Sequence, residues 1–221
     1  MRQRIAHAAE RAGRSPAAVT LVAVSKKFSA GAIREAYDSG VREFGENYVQ
    51  EFDDKRRELG DVTGAQFHLI GHLQSNKAKL ACELFDVIET ADSVKLLERL
   101  DGAARDLGRR LEVLLEIKLS EEENKTGADP SEIPQLLEAG AELTNLSIRG
   151  LMTMPPWSED AEQSRPYFRR LARLGREFGL EKLSMGMSGD LEVAIEEGAT
   201  IVRVGTALFG ARPKPGARVV Q

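Results

Sequence analysis

Two adjacent lysines, Lys26 and Lys27, follow the β-branched run Val19-Thr20-Leu21-Val22-Ala23-Val24-Ser25. An amine at a strand end has two chemical uses: a charge that holds an anion, or a nucleophile that forms a Schiff base with a carbonyl. Side chains alternate along a strand, so only one of the pair faces its interior side. Val22 and Val24 share a face with Lys26, whereas Ala23 and Ser25 share one with Lys27. Barrel interiors favour bulky branched residues, so the parity selects Lys26. A solvated lysine at a strand end fits this segment, taken alone, equally well.

Two later segments offer an anion site. Met185-Gly186-Met187-Ser188-Gly189-Asp190 runs from a strand into a helix. Glycine lets backbone approach a ligand, and a helix start presents unpaired N–H groups. Ser188 adds a hydroxyl, although Ser188 or Asp190 would serve equally as an ordinary helix cap. Arg203-Val204-Gly205-Thr206-Ala207-Leu208-Phe209-Gly210 is the second segment. Gly205 and Thr206 supply further donors, and an arginine within a β-branched strand requires a partner. Together these two turns specify a phosphate site.

Other polar groups are less committed. Strand ends at Phe44-Gly45-Glu46-Asn47-Tyr48, at His68 to Lys77 and at Asn124-Lys125-Thr126-Gly127 are polar. His72 is placed near a ligand, as an acid/base group or a loop residue; His68, mid-strand, reads as a hydrogen-bonded packing residue. Three histidines without ligand spacing argue against a metal. Glu46 and Asp190 read as caps or orienting groups. Met152, Met154, Met185 and Met187 line a soft pocket or fill the core. The basic residues between Arg165 and Arg176 form a solvated helix face opposite Phe168, Leu171, Leu174 and Phe178. Cys82, the lone cysteine, reads as a buried inert thiol.

These residues need a scaffold. Eight β-branched segments alternate with amphipathic ones, preceded by one extra helix near Arg2 to Ala12. Expected helices include Ser29 to Ser39 ended by Gly40, one opened by Asp129-Pro130-Ser131-Glu132 and closed by Gly140, and a long one from Glu159 to Phe178. Strands are expected at Arg42 to Phe44, Asp86 to Glu89 and Leu183 to Met185. Such alternation implies a parallel sheet, and eight units imply a closed (β/α)8 TIM barrel. An open doubly wound sheet is the alternative, but no Gly-x-Gly-x-x-Gly follows the first strand. In a barrel, the active site lies where the strands end, with phosphate beside strands seven and eight. All 221 residues fit one domain, 1–221, with a loose tail from about residue 212 around Pro213-Lys214-Pro215-Gly216.

The net charge of −4 gives no reason to expect nucleic-acid binding. No apolar run approaches the ~18 residues of a membrane span, and the N-terminus lacks a signal-peptide pattern. A cytoplasmic protein is the expectation.

The motifs Ala23-Val24-Ser25-Lys26, Phe44 to Tyr48, His68 to Lys77, Arg149-Gly150-Leu151-Met152, Ser184 to Asp190 and Arg203 to Gly210 resemble, in order, those of the pyridoxal phosphate homeostasis (YggS/PROSC-type) family. That resemblance implies a pyridoxal 5′-phosphate (PLP) barrel of fold-type III, like the N-terminal domain of alanine racemase. It implies PLP held covalently on Lys26 as an internal aldimine. Ser188, Gly189, Gly205 and Thr206 would contact the phosphate, Arg203 the pyridine nitrogen and Asn47 the phenolic side. His72 and Met152 would sit near the pocket. Many members carry a lysine and then a proline where this chain has Phe28 and Ser29.

Arginine only donates, so Arg203 favours an unprotonated ring nitrogen, a poor electron sink. No counterpart is expected of the second domain from which related racemases draw another acid/base group. The expectation is therefore vitamin B6/PLP homeostasis without efficient turnover, by a monomer with PLP-dependent clients and no catalytic residues. A small PLP enzyme such as an amino-acid racemase is the alternative; a barrel enzyme using Lys26 on a sugar phosphate is a third.

Overall fold

The computed structural model describes residues 1–122 and 126–211. Asn124, Lys125 and the expected loose tail lie outside the described residues. Eight parallel strands close into a barrel in sequence order: β1 (Thr20–Val24), β2 (Glu43–Glu46), β3 (Gln66–Leu69), β4 (Val87–Ala91), β5 (Leu111–Glu116), β6 (Leu146–Met152), β7 (Lys182–Ser184) and β8 (Ile201–Val204). Closure comes from β8 pairing with β1, Val22 opposite Arg203 and Ala23 opposite Val204. The helices are α1 (Arg2–Arg11), α2 (Ala30–Asp38), α3 (Val49–Leu59), α4 (Ala78–Leu84), α5 (Val94–Asp106), α6 (Ile133–Ala141), α7 (Arg165–Glu177), α8 (Leu191–Glu196) and α9 (Thr206–Phe209).

Strand alternation sorts the core into two shells. Ala23, Phe44, Leu69, Ile88, Val113, Leu151 and Val202 pack outward, in one cluster with the buried faces of the helices. Val22, Val87, Leu114, Met152 and Ile201 form a separate cluster inside the barrel. The added helix α1 lies against α8. Arg4 pairs with Glu192, Arg11 pairs with Glu196, and Arg14 donates to the Ile195 carbonyl. Cys82 is buried, and burial pushes its thiol up to about 11, which supports the inert reading.

Some boundaries differ from expectation. β2 runs on through Gly45 and Glu46 because each pairs with β3, at His68 and Leu69. A Cβ on Gly45 would stand 2.9 Å from Val22 Cγ1, so the strand passes inside only without one. β4 continues past Glu89 to Ala91. Gly140 does not close α6 but lies within it, where a Cβ would meet Ile148 Cδ1 at 2.3 Å. The expected helix from Glu159 is a 3-10 turn, Ala161–Ser164, before α7, whose first turn holds Pro166. α9 was not expected.

Candidate functional site

A cavity of about 510 Å³ opens at the C-terminal ends of the strands. It brings together seven of the nine residues singled out in the sequence: Lys26, Asn47, Ser188, Gly189, Arg203, Gly205 and Thr206. Val24, the last residue of β1, lines it together with Lys26.

Lys26 sits in a turn held from below. Ser25 is buried and donates its hydroxyl to Glu46 Oε1 at 2.8 Å. Lys55, on α3, donates to the same oxygen at 2.8 Å and to the Ser25 carbonyl at 2.9 Å. Burial raises the Glu46 carboxyl above its ordinary range against the pull of Lys55. On the other side of Lys26, Lys27 has a φ of 66°, unusual for a residue with a Cβ. Its N–H donates to Glu51 Oε1 at 2.5 Å, and Lys55 bridges to that same carboxylate. Both neighbours of Lys26 are thus fixed through one ammonium. Glu46 is an orienting group, as its type suggested.

Arg203 rises from the barrel floor, only 3% exposed. It donates to Ser184 Oγ at 2.6 Å and to the Thr153 carbonyl at 3.0 Å. Its counter-charge is Glu89, 4.0 Å away and fully buried. Burial lowers the guanidinium pKa, and Glu89, Glu116 and Asp190 oppose that shift.

Opposite this charged floor, Ser188, Gly189, Gly205 and Thr206 form a cradle. The Thr206 hydroxyl lies 3.5 Å from Ser188 Oγ. Nothing stands within 4 Å of a Cβ position on Gly189, so that side is open. Asp190 accepts the Met187 N–H at 2.7 Å and the Ser164 hydroxyl at 3.0 Å, and so shapes the turn as an orienting group. From α1, Arg4 reaches the Ser188 carbonyl at 3.1 Å while pairing with Glu192. The helices here, α8 and α9, are short, so the donors at this end are local N–H and O–H groups rather than a long helix's macrodipole.

Asn47 contributes an amide whose buried Oδ1 has no hydrogen-bond partner among the described residues. Its backbone passes so near Gly71 that a Cβ there would stand 2.3 Å from the Asn47 carbonyl oxygen.

Two residues placed near the pocket do not line it. Met152, the last residue of β6, is fully buried in the inner cluster with Val22 and Leu114. His72 is half-exposed, its Nδ1 3.9 Å from Asp92. Met154 and Trp157, from the segment after β6, line the mouth instead, and Trp157 is 81% exposed. The signal available for them was the Met154-Pro155-Pro156-Trp157 run directly after a strand. Glu89 was missed as Arg203's partner, although its parity with Val87 places it inside.

The alanine racemase N-terminal domain family matches residues 1–213. A pyridoxal phosphate homeostasis protein of Pseudomonas aeruginosa is 47% identical over 211 residues, covering 95% of this chain and 91% of that one. One from Escherichia coli is 47% identical over 220 residues, covering 96% and 94%. The chain belongs to the pyridoxal phosphate homeostasis protein family. The structure of PipY from Synechococcus elongatus without PLP is 44% identical, covers 95% of this chain and 99% of its own, and superposes with a TM-score of 0.84. PipY has also been solved with PLP bound, at a TM-score of 0.80 and coverages of 93% and 100%. Alanine racemase of Clostridium difficile shares the fold at a TM-score of 0.72 and 15% identity, and this chain spans 57% of it. Just after Lys26 and Lys27, Phe28 stacks on Phe209, ring centroids 5.1 Å apart, and Ser29 caps α2.

Proposed function

We propose that this chain is a PLP-binding protein of vitamin B6 homeostasis that carries the cofactor on Lys26 as a reversible Schiff base. The observation that carries this reading is one cavity with an amine, a buried guanidinium and an open Gly/Ser/Thr cradle on three sides. The donor set fits the group. Ser188, Gly189, Gly205 and Thr206 offer N–H and O–H donors to a phosphate. Asn47 lines the cavity, and its side-chain N–H could donate to the phenolic oxygen. PLP supplies an aldehyde that condenses with an amine, losing water, and returns on hydrolysis.

The chain's own residues then do the holding. Lys55, through Ser25, Glu46 and Glu51, holds the backbone on both sides of Lys26. Arg203 would donate at the ring nitrogen and favour its unprotonated form, in which electron withdrawal by the ring is weak. The mouth is open beneath Trp157, and a water-accessible site is poorly suited to electrostatic catalysis. Binding, storage and release to PLP-dependent clients in the cytoplasm suit these features better than turnover. No helix among the described residues is long and apolar enough to cross a membrane.

Borohydride treatment of protein incubated with PLP, followed by peptide mass analysis, is expected to place one adduct on Lys26. Lys26→Ala is expected to lose the visible band of bound PLP; retention of that band would overturn the assignment. The second reading is a small PLP enzyme such as a racemase, which the shared alanine racemase fold favours. Rapid exchange of the Cα hydrogen of an L-amino acid in deuterated buffer would establish it in place of the carrier.

A further inference from the structure

The barrel interior below the cavity holds a continuous polar chain. At its lower end Glu43 meets His68 Nε2 at 2.9 Å, and His68 Nδ1 meets Glu89 Oε1 at 2.6 Å. Glu89 Oε2 accepts the Ser184 hydroxyl at 2.5 Å, and Ser184 Oγ accepts from Arg203 at 2.6 Å. Five strands, β2, β3, β4, β7 and β8, contribute one residue each. Apart from Glu43, every member is buried. Its far end borders a second cavity of about 150 Å³ at the N-terminal end of the barrel, lined by Glu43, His68 and Lys182.

Such a chain needs an explanation. Barrel interiors are ordinarily filled by branched apolar side chains. Burying ions costs several kcal/mol each, and well-packed apolar residues can match a buried ion pair for stability. Fold stability therefore gives no reason for this chain. What it uniquely supplies is orientation and charge at its upper end. Glu89 is the hinge of the arrangement: one oxygen faces His68, and the other faces Ser184 and, at 4.0 Å, Arg203. Burial would hold the Glu89 carboxyl up; the His68 hydrogen bond and the His68 and Arg203 charges bring it below its ordinary range. For His68, hydrogen bonds and charges of Glu43 and Glu89 outweigh burial and raise it to about 9. With all four ionised, two cations alternate with two anions along the barrel axis. Arg203 alone among them also lines the upper cavity.

We propose that Glu89 is a positioning residue for Arg203: through Ser184 it fixes the guanidinium at the cavity floor and, balanced by His68 and Glu43, sets the positive charge that the ring end of bound PLP experiences. This rests on the PLP reading above. Replacing Glu89 by glutamine removes the carboxylate nearest Arg203 and leaves His68 with Glu43 alone as its counter-charge. More positive charge beside the ring disfavours the protonated form of the bound cofactor.

The test uses full-length wild type, Glu89→Gln, Glu89→Asp and Ser184→Ala, titrated with PLP. The readouts are the dissociation constant and the pH midpoint of the visible band of bound PLP. Expected for Glu89→Gln is an affinity loss of at least about tenfold, the loss of a charge-assisted hydrogen bond, with the midpoint moved to lower pH. Glu89→Asp, which keeps the charge, is expected to restore the midpoint toward wild type. Ser184→Ala keeps every charge and serves if Glu89→Gln does not fold; a smaller shift in the same direction is expected. A variant that binds PLP with the wild-type midpoint overturns the proposal, even if it is less stable, because a merely structural role predicts that result. A wild type that forms no visible band overturns the PLP reading instead.

Discussion

The two ends of the cavity are built on opposite plans. At the floor, Arg203 is held by buried side chains from several strands, with its counter-charge fully enclosed. At the cradle, Ser188, Gly189, Gly205 and Thr206 offer backbone and hydroxyl donors in half-exposed turns. The cradle's main external support is Arg4, itself part-exposed. The floor resists rearrangement because each group there is balanced by the next. The cradle can exchange its ligand for water, since every donor that loses a phosphate finds solvent. A protein that stores and releases a ligand benefits from this division: the ring is oriented by the rigid part, and the anion leaves through the soft one.

The largest effects should come from breaking the floor. Arg203→Met removes the Glu89 counter-charge and the Ser184 donor, and should destabilise the fold by about 3–5 kcal/mol, read as a fall in the urea midpoint at unchanged slope. Lys55→Met, under the Lys26 turn, leaves Glu46 buried without its ammonium. It should cost about 3 kcal/mol, with Glu46→Gln in the same background recovering part of it.

His68 gives the floor a pH signature. Its folded value, about 9, lies above the ordinary imidazole value. Its contribution is therefore complete below about pH 6.5 and declines as pH rises, disappearing as His68 deprotonates through about 9. Denaturant unfolding across that range should show a stability loss of roughly 3 kcal/mol in wild type and a flatter profile in His68→Gln.

The cradle should respond more weakly and in affinity rather than stability. Ser188→Ala with Thr206→Ala should raise the PLP dissociation constant about tenfold, with the melting temperature unchanged. Smallest of all is Arg4→Ala. A part-exposed pair contributes up to about 1 kcal/mol, so a twofold to fivefold weakening is expected, reduced further by added salt.

Much of this was legible in the sequence for a physical reason. Strand parity is a local property, so Val22, Val24 and Lys26 could be assigned to one face without knowing what lay across the barrel. The glycine-rich turns after β7 and β8 announced themselves by composition. Long-range partners were not legible. That Arg203 needed a counter-charge followed from its strand, but the choice of Glu89 depended on barrel closure and register. His72 and Met152 show the limit from the other side. Both follow or end strands, yet Met152 is taken up by the inner apolar cluster and His72, half-exposed, lies beside Asp92.

Closure of the barrel between β1 and β8 also has a consequence for the order in which the protein is made. Lys26 emerges from the ribosome in the first eighth of the chain, while Ser188 to Thr206 emerge near its end. The strands that carry them are neighbours only once the last is in place. Contacts so distant in sequence form late in folding. The nascent chain therefore displays its amine long before it has a pocket, and cofactor capture becomes a report that the barrel has closed.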